Sequence, residues 1–277
     1  MADIQRYQRT ARVAKFLVPR ATNLLSWTRA QAAISLSETA AALLQGKGAG
    51  SGWDIAAETT AALKFIQPGA TVFDIGANKG DWSRTIYRQL NGDVRLFLFE
   101  PQETCFIALE PLLSNGAVLV KAAVGETAGR AILYSPGDRA GNASLYMRND
   151  TYFAGQVFSP YDVSVVAIDA FLNAKGIDSV GFMKMDIEGH ELFALRGARD
   201  ALSAGVIRTL SFEFGSGNIN SRTFFHDYWD MLRGYHYNIH RVLPGGKLLH
   251  IRRYNEDLEY FRGVSNYIAT ISPASFP

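Results

Sequence analysis

Thr71-Val-Phe-Asp-Ile-Gly-Ala-Asn-Lys-Gly-Asp-Trp82 is the stretch from which the fold is read. Val72, Phe73 and Ile75 make a short apolar run, the mark of a buried strand. The run closes on Asp74 and two glycines, Gly76 and Gly80, and an amphipathic segment follows with Trp82, Ile86 and Leu90 on one face. Strand, glycine turn and helix start together let main chain approach a charged small molecule.

After this stretch the chain alternates. Strands are predicted at 95–99, 118–122, 131–134, 163–168, 181–185 and 209–214. Helices are predicted at 102–113, 169–174, 191–202 and 222–234. Repeated strand–helix units predict a parallel doubly wound α/β sheet with helices on both faces. The tail is poor in helix: Tyr237 to Val242, a Pro244-Gly245-Gly246 turn, Leu248 to Ile251, then Asn266 to Ile271. It predicts an antiparallel hairpin at one edge.

Before the stretch the pattern differs. Residues 1–45 read as a helical arm in two pieces, one with Ile4, Tyr7, Ala11, Ala14 and Val18 on a face, the other starting near Thr22 or Asn23. Gly46-Lys-Gly-Ala-Gly-Ser-Gly52 reads as a flexible linker, so the predicted division is 1–52 (arm and linker) and 53–277 (main domain). Met1 to Lys47 carries seven Lys/Arg against two Asp/Glu, about +5, which leaves about −3 on the rest. Packing of the arm on the domain or on a second subunit is favoured over contact with an anionic membrane surface.

Composition bounds the function. At 277 residues there is room for a full core plus an appendage. A net charge of +2 predicts no general attraction to nucleic acid. The single cysteine, Cys105, excludes an internal disulfide and a cysteine-built metal site, and no histidine pair has metal-ligand spacing. No secretory signal is visible, and Leu24 to Leu44 contains Arg29 and Glu38, which argues against a membrane span. The expectation is a cytoplasmic protein, with membrane association as the alternative.

In an open parallel sheet, ligands bind beyond the carboxyl ends of the strands. Asp74, Gly76, Asn78 and Gly80 follow the first strand, Glu100 the second, Asp186, Glu188 and His190 the fourth, and Glu213 the fifth. The first loop is not the dinucleotide fingerprint, because Asn78 stands where the second glycine is needed. Asp74 disfavours a pyrophosphate at that place and favours a cationic, donor-rich ligand. Glu100 is placed to accept hydrogen bonds from both hydroxyls of a ribose. S-adenosylmethionine pairs an adenosine ribose with a positively charged amino-acid end and meets both requirements.

Val72-Phe-Asp-Ile-Gly-Ala-Asn-Lys-Gly80, Phe99-Glu-Pro101, Met183-Lys-Met-Asp-Ile-Glu-Gly-His-Glu191 and Leu195-Arg-Gly-Ala198 together resemble the FkbM-type S-adenosylmethionine-dependent methyltransferases. The resemblance covers about residues 53–271. It implies a class I methyltransferase (Rossmann-like) fold, a seven-stranded, mostly parallel sheet whose last strand is antiparallel. It implies that Asp74, Gly76, Ala77, Asn78 and Gly80 line the methionine end of the cofactor. Glu100 and Pro101 would meet the ribose, Ala123 and Val124 would flank the adenine, and Asp186 would sit near the transferable methyl. Many members methylate sugars on polysaccharides or natural products, which points to a glycan or small-molecule acceptor, lipid-linked ones included.

Methyl transfer from a sulfonium needs alignment and exclusion of water, and a hydroxyl acceptor also needs a base. Asp186, His190 and Glu213 are the candidates, His190 first because an unperturbed imidazole titrates near neutrality. For Glu188 and Glu213, a purely structural role stays equally open. Residues 137–162, rich in Gly, Asn, Ser, Tyr and Arg (Arg139, Asn142, Ser144, Tyr146, Arg148, Tyr152), interrupt the alternation and form the candidate acceptor cap. Two other classes compete: a nicotinamide-dependent oxidoreductase, and a non-catalytic scaffold of a glycan-synthesis complex.

Overall fold

The computed structural model describes residues 27–48, 55–136, 140–148 and 155–271. The chain divides into two units, Met1–Leu44 and Gln45–Pro277. In the first, helix α1 (Thr28–Leu44) buries none of its residues. The first predicted arm helix and the caps Thr22 and Asn23 lie outside the described residues. No described helix is long and apolar enough to cross a membrane.

The second unit is built on one sheet. Its parallel strands are β1 (Thr71–Ile75), β2 (Arg95–Phe99), β3 (Val118–Val120), β7 (Phe182–Met185) and β8 (Thr209–Gly215). Three antiparallel strands complete it: β9 (Tyr237–Leu243), β10 (Lys247–Ile251) and β11 (Val264–Ile271). The order is β10-β9-β11-β8-β7-β1-β2-β3. The sheet therefore has eight strands, one more than expected. The addition is β10, the second arm of the predicted hairpin, which pairs only with β9 and forms the edge.

The central strands are apolar on both faces because helices cover both. On one face Val72, Leu96, Leu98 and Phe182 pack with Ala61 and Ala62 of α2 (Ile55–Ala62), Trp82 and Ile86 of α3 (Asp81–Gln89), and Leu109 and Leu112 of α4 (Glu103–Leu113). On the other, Phe73, Phe97, Phe99, Met183 and Met185 pack with Ile168 and Leu172 of α5 (Ile168–Lys175) and with helices further along the chain.

The run at 131–134 does not join this sheet. It belongs to β5 (Gly129–Ser135), which with β4 (Ala123–Val124) and β6 (Ser159–Val166) makes a separate sheet in the order β4-β6-β5. The physical reason is legible afterwards: Leu133 and Ser135 are buried while Arg130 and Ile132 are exposed. This is the alternation of a sheet with one wet face.

Two predicted helices are shorter than expected. The one at 191–202 is split into α6 (Glu191–Arg196) and α7 (Arg199–Ser203). Gly197 at the break lies so close to Gly125 that a Cβ would fall 2.2 Å from the Gly125 carbonyl oxygen. After the short α8 (Gly217–Ser221), helix α9 (Phe225–Gly234) starts three residues late, because Arg222 is left-handed. Glu259 caps it by accepting the Phe225 and His226 N–H groups at 2.7 and 2.9 Å. Phe225, Tyr228 and Leu232 of α9 are core, while Phe224 just before it is exposed.

Candidate active site

Chain direction places β2 on one side of β1 and β7 on the other, so strand order reverses at β1/β7. A crevice opens there, beyond the carboxyl ends. Counting its open mouth, the cleft holds about 590 Å³ of space unfilled by protein. Gly76, Asn78, Glu100, Pro101, Ala123, Val124, Asp186, Glu188 and His190 line it. The fold brings together in one place eight of the expected site residues, plus Glu188, from four separate segments.

Gly76 is the pivot of the floor. Its φ is +80°, and a Cβ would fall 2.0 Å from the Asp186 carbonyl oxygen, main chain against main chain. Gly76→Ala is therefore expected to force the β1 and β7 ends apart, at a cost of roughly 2–4 kcal/mol. Urea denaturation of the variant measures it; stability equal to the parent's would refute the argument.

Glu100 is nearly fully buried, yet its carboxylate meets the cleft. Oε2 accepts the Asn78 N–H at 2.7 Å and Oε1 the Gln102 N–H at 2.8 Å. Two carboxylate oxygens still have lone pairs to offer, which suits a vicinal diol. The wall beside it is apolar, from Phe99, Ala122, Ala123, Val124 and Leu133, and suits a flat base. The residues present fit the cofactor expected from the sequence.

Four expected residues do not line the cleft. Asp74 is fully buried beneath it, accepting the Ser83 hydroxyl at 2.6 Å and lying 3.4 Å from Lys184 Nζ. Gly80 starts α3 and faces Leu109 of α4. Glu213, 7% exposed, stands on β8 opposite Asn266 of β11. Ala77 is also buried, tied to the Phe99 carbonyl. Asp74 and Gly80 shape the loop from below, because a strand residue next to a tight turn points into the sheet face that the following helix covers.

The Asp186–Glu191 turn is held from all sides. Lys184 Nζ lies 3.3 Å from Asp186 Oδ2. Glu191, completely buried, accepts the Ile187 and Gly189 N–H groups at 3.0 and 3.2 Å. Glu188 forms an ion pair with Arg148, whose second nitrogen reaches Ser216 Oγ at 2.8 Å. Ser144 Oγ donates to the Glu188 carbonyl at 3.0 Å, and the Tyr146 hydroxyl meets His190 Nδ1 at 2.8 Å. Residues 140–148 thus border the cleft, fastened by three side chains, whereas the end of the expected cap, Ser159 to Asp162, runs in β6 of the second sheet. Arg139 and Tyr152 of the expected cap lie outside the described residues. The Lys184, Arg148–Glu188 and Glu191 contacts were not foreseen. Their residue types were visible, but only folding shows which charges meet.

Burial dominates the electrostatics. It pushes Glu58, Glu100 and Glu191 to about 7 and Glu188 to about 8, and pulls His190 down to about 4. A carboxyl raised in the folded state takes up protons on folding, so its stabilisation is lost as pH climbs from 4.5 towards 7 or 8. His190 works oppositely, losing stability as pH falls from 6.5 towards 4. Above pH 6.5 the carboxyls act alone. The cofactor-free protein is expected to lose stability between pH 6.5 and 8, by about 1.4 kcal/mol per pH unit for each proton taken up. Thermal melts across that interval test it; a flat or rising midpoint would count against the buried carboxyls.

Solved structures of similar shape include three methyltransferases. A precorrin-6y C5,15-methyltransferase from Geobacter metallireducens GS-15 is 10% identical, with 78% of this chain and 86% of that one covered and a TM-score of 0.41. A SAM-dependent O-methyltransferase from Thermotoga maritima is 10% identical over 79% and 65%, at 0.40. The plantazolicin methyltransferase in complex with SAH is 9% identical over 96% and 99%, at 0.37. No curated protein matches. The model of the methyltransferase FkbM domain matches residues 74–239, more than half of the chain and every residue that lines the cleft. The chain belongs to the FkbM methyltransferase family, a class I fold whose cofactor is S-adenosylmethionine.

Proposed function

We propose that the protein is an O-methyltransferase acting on a hydroxyl of a sugar or glycan acceptor, with residues 53–277 as the catalytic domain and 1–52 as a docking arm. Glu100 holds the ribose hydroxyls, Pro101, Ala123 and Val124 flank the base, and the Gly76–Asn78 main chain receives the methionine end. When bound, the cofactor supplies a methyl group already activated on a sulfonium. The chain's own task is to align the acceptor, take its proton and exclude water.

The observation that carries this reading is Asp186. Of the three candidate bases it alone presents a partly exposed carboxylate to the cleft (23%), steadied by Lys184. His190 also borders the cleft, but its Nδ1 is engaged by Tyr146, its ring stacks on Phe193 at 4.8 Å, and burial keeps it neutral. Its part is to fasten the cap. Glu213 lies below the floor. Asp186 therefore accepts the hydroxyl proton on a carboxylate oxygen while the cap keeps water out.

A sugar is favoured by the polar cap and by the acceptors common in the family. The test incubates the protein with methyl-labelled S-adenosylmethionine and a panel of glycans, lipid-linked sugars, amines and RNA. Label is expected on a sugar oxygen. Label confined to nitrogen, carbon or RNA would reject the proposal.

A further inference from the structure

Glu58 precedes the residues that match the family model, and nothing in the proposed reaction uses it. It lies on α2 one turn before Ala61 and Ala62, which pack with Val72 and Phe182 on one face of the sheet. Two residues further along those strands come Asp74 and Lys184, paired in register and so on that same face. Glu58 is buried there, as is Lys184. One ammonium thus faces four carboxyl groups: Asp74 at 3.4 Å, Asp186 at 3.3 Å, and Glu58 and Glu213 through their fields. The Trp82 ring, 5.9 Å from Lys184 Nζ, walls the cluster against α3.

We infer that this excess of carboxyl groups under the cleft makes the site prefer the cationic sulfonium cofactor over its neutral product, S-adenosylhomocysteine, and that Glu58 is the member that makes the preference depend on pH. A charge buried beneath the site acts over a path that salt screens poorly. Desolvation raises Glu58 to about 7, Lys184 opposing and Asp186 and Asp74 reinforcing, so it gains its charge within the neutral range. Those three, from β7, the turn beyond it and β1, are the charged groups it meets. Other ionisable groups on elements against α2 engage elsewhere. Arg84 of α3 bonds Asp81 and the Ala108 carbonyl, Arg88 bonds the Arg84 carbonyl, Arg241 of β9 bonds the Tyr267 hydroxyl and the Gln45 carbonyl, and His240 of β9 stacks on His250 of β10; Lys247 is exposed.

The inference rests on placing the methyl end of the cofactor beside Asp186. Calorimetric titration of the purified protein with S-adenosylmethionine and S-adenosylhomocysteine, at pH 6 and pH 8, tests it. Taking the ratio of the two affinities cancels contributions common to both ligands, such as those of Glu100 at the ribose. In the parent the ratio is expected to rise between the two pH values roughly three- to tenfold more than in Glu58→Gln. Gln is the neutral isostere of the form Glu58 holds at pH 6, and matched melts at that pH verify folding. Equal pH responses of parent and Glu58→Gln would overturn the role of Glu58. An unaltered ratio in Asp186→Asn would instead overturn the placement of the cofactor.

Discussion

Asp186→Asn is expected to lower kcat by about 10²–10⁴, the range contributed by a positioned acid or base, while affinity for S-adenosylhomocysteine stays within a few-fold. The amide keeps the size of the side chain and can still meet the cleft, but it cannot accept the hydroxyl proton. His190→Ala is expected to cost less, through a looser cap, because desolvation makes the half-buried imidazole a weak base and its Nδ1 is engaged by Tyr146. Single-turnover rates and product-binding calorimetry on both variants separate the roles. A loss in His190→Ala that matches or exceeds that in Asp186→Asn would move the base to the imidazole.

Glu100→Ala is expected to weaken both S-adenosylmethionine and S-adenosylhomocysteine by about 100-fold or more. It removes the acceptor for two hydroxyls and leaves the Asn78 and Gln102 N–H groups without theirs; hydrogen bonds to a charged group contribute about 1.5–3 kcal/mol each. The pH dependence has a definite sign. Burial raises Glu100 to about 7, and the ionised carboxylate is the better acceptor for a diol. Affinity for both ligands should therefore rise as pH passes upward through 7 and level off above it. Glu100→Gln should flatten that rise. Affinity that falls with pH in the parent, or persists undiminished in Glu100→Ala, would place the ribose elsewhere.

The glycine turn and the strand-end acid that line the cleft were readable before folding because their signals are local. Val72 to Gly80 reads as a strand and tight turn from residue type alone, and Glu100-Pro101 follows the next strand by the same logic. Adjacency in an open sheet then brings both to one crevice without further information. The second sheet was not readable in this way. Its strands β5 and β6 are separated by the long interruption at 136–158, and the alternation in β5 resembles that of any half-buried strand. Nor could spacing show that the helix divides at Gly197, where the Gly125 main chain packs so close that no side chain would fit.

The base was chosen from sequence on unperturbed chemistry, which favoured His190. Desolvation lowers that imidazole to about 4, and desolvation depends on what packs around a ring, not on what precedes it in the chain. The same holds for Arg148, Glu188 and Glu58, charges that are unremarkable in line and become partners or neighbours only when loops and helices distant in sequence converge. Residue type and chain order were thus sufficient for the family, the central parallel strands and the glycine turn of Thr71 to Trp82, because periodicity and turn chemistry act between near neighbours. It took the folded chain to say which carboxylate is open to the cleft, which lie beneath it and which side chains close it, because burial and long-range pairing set the energy of a charge.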